Sequence, residues 1–298
     1  LHTVRERMQG LSKRDVKGAI LARKAQSSLA ASGKEFKNMV SGPSGISNIP
    51  VYPTDISNAR VLYGAKPLDE VRGKTVRMKP ERVRTDVGAG EVPRGIYDLN
   101  QFVTLTADVM FVNGVSFLVT LSRQIRLRTA EHISTRSASQ LSSSLIKVCR
   151  MYARGGFTVK MILMDQEFTK LDGALGLVDI NTIAAREHVG EIERDIRTQK
   201  ERARTITSTL PYHILPKQLI VHLIYQVVVC LNCIVNKQGI SDVLSPREIV
   251  KRRKLDFKTH FSMMFGAYVE AHEDPNITNT IRPRTYPGIY LGSTTNLQ

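Results

Sequence analysis

The chain has 298 residues, 42% of them apolar, and its 43 Lys and Arg outnumber 27 Asp and Glu to give a formal net charge of +16. That length allows one large core with flanking pieces or two modest domains. The positive excess favours a polyanionic partner, with nucleic acid ahead of anionic membrane, and three cysteines are too few for a disulfide framework.

The first 20 residues are polar and basic and contain no apolar core of a secretory signal. A start at Leu1 leads us to expect a fragment of a longer polypeptide. Residues 11–31 read as a helix capped by Ser12, with Asp15 at capping-box spacing. Ser41–Ser47 is a cluster of helix breakers, and a second helix should run from a Thr54-Asp55 cap to Tyr63 and stop at Gly64. Arg72–Arg84 is dense in positive charge and reads as extended; within it Lys74, Arg77 and Lys79 are candidate DNA contacts, with solvated surface as the competing reading. Residues 1–97 carry 18 basic and 9 acidic side chains, more than half of the excess charge. Val87–Pro93, with two Gly and a Pro, reads as a linker.

From about residue 100 the pattern changes. Strands are predicted over 102–111, 115–121 and 125–133, the first two joined by an Asn113-Gly114 hairpin turn. Ser137–Tyr152 should be a helix with Leu141, Leu145, Val148 and Tyr152 on one stripe. A strand over 157–164, a short helix including Phe168 and Leu171, and a strand over 177–183 follow. A helix then covers His188–Arg204. The order βββ-α-β-α-β-α is that of an RNase H-like α/β fold, a mixed five-stranded sheet with flanking helices. A basic, mainly helical region (1–95) precedes the predicted core (96–240), and a small β-rich segment (241–298) follows it. The apolar run 219–235 is interrupted by His222, Gln226 and Asn232, so a buried or dimer-interface helix is expected in place of a membrane span. Cys230 and Cys233 lie in that run and read as packing, not as a zinc pair.

Three acids stand where metal-dependent phosphoryl chemistry needs them. Asp108 interrupts an apolar strand, Asp165 ends another, and Glu193 lies near the start of the 188–204 helix. An acid inside an apolar strand is costly unless it is paired or binds a metal. Three carboxylates suit two hard divalent ions, Mg²⁺ or Mn²⁺, held against a phosphate. Asp98 and Glu167 compete for the first two positions. At 100° per residue, Glu193, Arg197, Lys200 and Arg204 share one sector of the helix beside an apolar stripe of Val189, Ile192, Ile196 and Ala203. The bland alternative is a solvated charged face; the functional one puts these cations on a DNA backbone. His132, His213 and His222 fit no zinc spacing and read as packing or surface residues, whereas His188, just over a turn before Glu193, could orient a carboxylate or touch a phosphate.

Ala185–Thr198 resembles the segment around the third acid of copia-type retrotransposon integrases, aligning Glu193, Arg194 and Arg197 with the family pattern. Leu163-Met-Asp-Gln-Glu-Phe168 looks like a shortened form of the family's Asp-x-Gly-x-Glu-Phe segment and puts the second acid at Asp165. Thr106-Ala-Asp-Val-Met110, before Phe117–Arg123, resembles the first acidic strand and gives Asp108. Ser245–Asp256, Phe265–Glu270 and Tyr286–Gly292 are similar to the region beyond the family's core. The resemblance covers residues 100–298, and the N-terminal part, including Leu62-Tyr-Gly and Leu68–Thr75, is similar to the pre-integrase region of a divergent branch. It implies integration of element cDNA into chromosomal DNA by Asp108, Asp165 and Glu193, double-stranded DNA as partner (cDNA ends and target), self-association, no membrane, and a nuclear location after cytoplasmic assembly. Three features depart from the family. No Cys precedes Cys149, so no zinc is expected in this chain; Asp165 and Glu193 are 28 positions apart, a shortened gap; and Ile196 replaces the usual Asn. A decayed or domesticated DNA-binding remnant and an RNase H-like nuclease are the alternatives.

Overall fold

The structure, a computed structural model, describes residues 2–42, 46–74, 92–165, 168, 178–183, 190–272 and 281–292. Five helices come first: α1 (Val4–Met8), α2 (Lys13–Ser28), α3 (Gly33–Ser41), α4 (Pro53–Tyr63) and α5 (Leu68–Lys74). Ser12 caps α2 as expected, its hydroxyl accepting from the Asp15 amide at 3.2 Å. The helix ends at Ser28, short of residue 31, because Ala30 takes a φ of 47° and turns the chain into α3. Sequence reasoning missed α1 and α3, although each carries a capping box, Thr3 with Glu6 and Ser32 with Glu35. In α4 the cap lies earlier than Thr54: Pro53 occupies the first turn, Tyr52 is the N-cap, and its amide donates to the Asp55 carboxylate at 2.9 Å. Gly64 ends α4 with a φ of 92°. Gly18 lets α2 and α4 approach, since a Cβ there would lie 2.1 Å from the Asp55 carboxylate. Ala19, Ala22, Phe36, Ile56, Ala59 and Leu62 form the core of this bundle. Arg72, expected in an extended run, sits in α5; Arg77 and Lys79 lie outside the described residues, and so does the side chain of Lys74.

A short α6 (Arg94–Asn100) leads into β1 (Phe102–Val112), β2 (Val115–Ser122) and β3 (Arg128–Ile133). The β1–β2 hairpin turns at Asn113 (φ 46°) and Gly114 (φ 78°), two positive values of the kind a tight two-residue hairpin requires. β3 begins three residues later than expected because Arg126 takes a φ of 64° and the Ser122 hydroxyl accepts from the Leu127 amide at 3.0 Å, closing a turn. Then come α7 (Ala138–Arg154), β4 (Thr158–Asp165), β5 (Asp179–Ile183), α8 (Gly190–Thr207) and α9 (Lys217–Asn232). Of the short helix expected around Phe168 and Leu171, Phe168 alone is described, and it is buried.

The sheet order is β3-β2-β1-β4-β5, with β1 antiparallel to β2, β2 to β3, and β1, β4 and β5 parallel. With a helix layer on each face, this is an RNase H-like mixed five-stranded α/β fold. Alternation along β1 sends Leu105 and Ala107 to the face covered by α7, where Leu141, Leu145, Val148 and Tyr152 are buried as the stripe predicts. The opposite face buries Met110, Phe117, Val119 and Leu121 against Ile192 and Ala203 of α8 and Leu223, Ile224, Val227 and Val228 of α9. No helix among the described residues is long and apolar enough to cross a membrane. Instead α9 buries nine of its residues.

The chain ends with α10 (Pro246–Lys251), α11 (Phe257–His260) and the antiparallel strands β6 (Tyr268–His272) and β7 (Thr285–Ile289). Contacts divide it into two compact units, Leu1–Val83 with Ala267–Tyr290, and Arg84–Gly266 with Leu291–Gln298. Ile249 and Val250 of α10 join the core beneath α7, and in the other unit the Arg72 guanidinium bonds Glu270 of β6 at 3.0 Å.

Candidate functional site

Asp108 belongs to the α8 side of β1, because Ala107 and Met110 flank it on opposite faces of the strand. It is half-buried, and its Oδ1 accepts from the Val109 amide at 2.6 Å. In the parallel β1–β4 pairing Thr106 partners Leu163. This is the last pair of the register, and Asp108 and Asp165 each lie two residues beyond it. Met164 faces the α7 side, so Asp165 shares the face of Asp108, and it is exposed at the carboxyl end of β4. That end, where β1 has an antiparallel neighbour on one side and a parallel one on the other, is where open α/β sheets commonly take ligands.

The third acid sits differently. Helix α8 buries Ile192, Asp195, Gln199 and Ala203, leaves Ile196 half-buried and exposes Glu193. Among the described residues no three His, Cys, Asp or Glu side chains gather as a metal-holding group. Asp108 and Asp165 thus lie on neighbouring parallel strands at the same offset from the last paired residues, and Glu193 forms no metal-holding group with them among the described residues. Val189 and His188 lie outside the described residues.

The cations of α8 also divide. Arg197 and Arg204 are exposed and Lys200 half-buried. Lys200 and Arg204 line a cavity of about 540 Å³ between the β1–β2 turn, α8 and the start of α9. Arg194 turns back onto its own helix, donating to the Gly190 carbonyl at 2.9 Å, and borders a separate cavity of about 170 Å³ beside Arg126, Arg128 and Asp195.

Sequence reasoning missed the group that fixes α8. Arg128 of β3 donates to the buried Asp195 carboxylate, whose other oxygen accepts from Gln199 at 2.8 Å. Glu191 pairs with Arg123 at 3.1 Å and faces Arg126 at 3.9 Å. Asp195 falls on the buried stripe three residues after Ile192, a signal visible in the sequence, but its partner lies 67 positions away. His213, read as packing or surface, lines the larger cavity. His132 packs edge-on to Phe117 and His222 to Tyr225. Burial pushes up the half-buried thiols of Cys149, Cys230 and Cys233, Cys149 to about 11.

No family model and no curated protein matches the chain. Its structure is similar to the catalytic core domain of BIV integrase, with 19% identity, a TM-score of 0.36, and coverage of 50% of this chain and 93% of that one. It is also similar to the HTLV-2 integrase catalytic core domain, described in complex with magnesium in a trimeric form, at 14% identity and a TM-score of 0.38, covering 51% and 97%. The fold rests on strand order and register.

Proposed function

We propose that the chain is an integrase-type polynucleotidyl transferase of the copia type that inserts retroelement cDNA into target DNA. The observation that supports this reading is that Asp108 and Asp165 lie on neighbouring parallel strands, β1 and β4, each two residues beyond the last paired residues Thr106 and Leu163. Two carboxylates so placed offer hard oxygen donors to Mg²⁺ or Mn²⁺, and Glu193 would supply the third from α8. Bound there, two such ions would neutralise charge on the attacking and leaving oxygens of a phosphodiester. The attacking group would be water or a DNA 3′-hydroxyl, in line with the bond that breaks, and no covalent enzyme intermediate is required. Arg197, Lys200 and Arg204 would hold the DNA backbone, with Lys74, Arg77 and Lys79 as further contacts and His188 as a group that orients a carboxylate. Self-association, nuclear action after cytoplasmic assembly, and a pre-integrase region, core and C-terminal extension as functional parts belong to the same proposal.

A second reading, a DNA-binding remnant without chemistry, is favoured by one observation: Glu193 does not join the two aspartates in a metal-holding group among the described residues. Disintegration of a branched DNA with Mg²⁺ or Mn²⁺ separates the two. Joining and cleavage by the wild type, reduced at least about 10³-fold in Asp165→Asn with DNA affinity retained, is the expected outcome. Equal DNA binding by both proteins with neither joining nor cleavage would sink the enzyme reading.

A further inference from the structure

The cavity that takes Lys200 and Arg204 has a composition which backbone contact alone does not need. Its lining includes apolar Ala203 from α8 and Ile220 and Leu223 from α9 beside polar Asn113, Thr207, Ser208 and His213. Phe111 of β1 also lines it, 47% exposed, with the Arg136 guanidinium 5.7 Å from its ring centroid. Tyr212 closes another side, held in place by donating its hydroxyl to the Gly266 carbonyl at 3.1 Å. Lys200 and Arg204, one helical turn apart, also line it; among the described residues neither forms an ion pair and no acidic side chain lines the cavity. The volume of about 540 Å³ lies within the range of small-molecule sites, about 300–1,000 Å³.

A cavity lined by the aromatic side chains of Phe111 and Tyr212 suits a flat heterocycle, because every base offers a π-face whatever its sequence. Two cations in the same lining suit the phosphate attached to that heterocycle. We propose that this cavity takes one unstacked nucleotide of a single DNA strand, its base against Phe111 or Tyr212 and its phosphate on Lys200 and Arg204. The proposal rests on the reading of the chain as a DNA-processing enzyme and adds to it a site for a strand that has left the duplex. A phosphate-only site would need no apolar lining. A purely apolar ligand would leave the two cations unused.

The test uses the full chain and an oligothymidylate 12-mer in which one thymine is replaced by 5-iodouracil, with an abasic 12-mer of equal charge as control. Photo-crosslinking followed by peptide mapping should place the adduct on Phe111, Tyr212 or His213. Wild-type protein should bind the base-containing strand about tenfold tighter than the abasic one. Phe111→Ala should remove most of that difference, whereas the Lys200→Ala, Arg204→Ala pair should weaken both strands about tenfold. Phe111 is half-exposed, so its variant should keep the wild-type melting temperature, which separates lost binding from lost folding. Adducts elsewhere, equal affinity for the two strands (a phosphate site only), or equal displacement by an acidic peptide would overturn the nucleotide site. Strand transfer with adducts elsewhere would defeat the cavity and leave the enzyme reading standing. Adducts in the cavity without transfer would do the reverse.

Discussion

At the residue scale, the acids of this chain are sorted by their partners and not by their spacing. Asp195, two residues from Glu193, is committed to Arg128 and Gln199, and Glu191 to Arg123. Removing one member of a buried pair leaves the other charge stranded, which is why such acids anchor an element. Glu131 on β3 is a different case. Burial raises its pKa above the usual carboxylate range, and Lys147, 3.8 Å away, offsets this in part. The sign follows from linkage: a raised carboxyl pKa contributes stability below its unfolded value, and that contribution is lost as pH rises through the folded one. Glu131→Gln should therefore gain stability relative to wild type between about pH 4 and pH 7. Urea melts at the two pH values check this, and a gain confined to pH 4 would contradict it.

At the element scale, the informative piece is α9. The spacing of its apolar residues is compatible with a buried helix or with an interface helix, and the structure shows a helix laid along the open edge of the sheet. β3 is an edge strand. The Asn232 side chain accepts from the Arg128 amide at 2.9 Å and donates to the Arg128 carbonyl at 2.8 Å, as a neighbouring strand would, and the Tyr225 hydroxyl accepts from the His132 amide at 3.2 Å. Asn232, one of the polar residues that interrupt the apolar run, thus satisfies backbone groups that an uncovered edge would leave open to pairing with other chains. Asn232 is fully buried. Asn232→Leu should cost about 2–4 kcal/mol, since it strands one donor and one acceptor. A loss below about 0.5 kcal/mol in chemical denaturation would show that the edge does not depend on this side chain.

At the scale of the whole molecule, the +16 charge and the two compact units set the terms of binding. If the chain holds duplex DNA through phosphates, affinity should fall linearly in a plot of log K against log salt. The expected loss between 50 and 200 mM salt is about tenfold for every two phosphates neutralised. Anisotropy titrations measure it directly, and a flat salt response would remove the electrostatic basis of the DNA reading.

Most of the sheet was legible in the sequence. Alternating apolar residues, the Asn113-Gly114 turn and the stripe of Leu141, Leu145, Val148 and Tyr152 are local signals, and local signals survive folding because backbone sterics and side-chain periodicity act within a few residues. The same alternation exposed Asp108 as an acid out of place. The short capped helices α1 and α3 were equally local and were overlooked because their apolar pattern is brief. Other features lay beyond any local reading. The strand order that puts Asp108 and Asp165 on neighbouring strands, the Arg128–Asp195 pair, Asn232 acting on the edge of β3, and the cavity over Lys200 and Arg204 each join residues far apart in the chain. The sequence by itself determined which segments become strands and helices and which faces they bury. Only the tertiary structure decided which charges are neutralised in the core and which remain open to a ligand, because that depends on partners that backbone periodicity cannot specify.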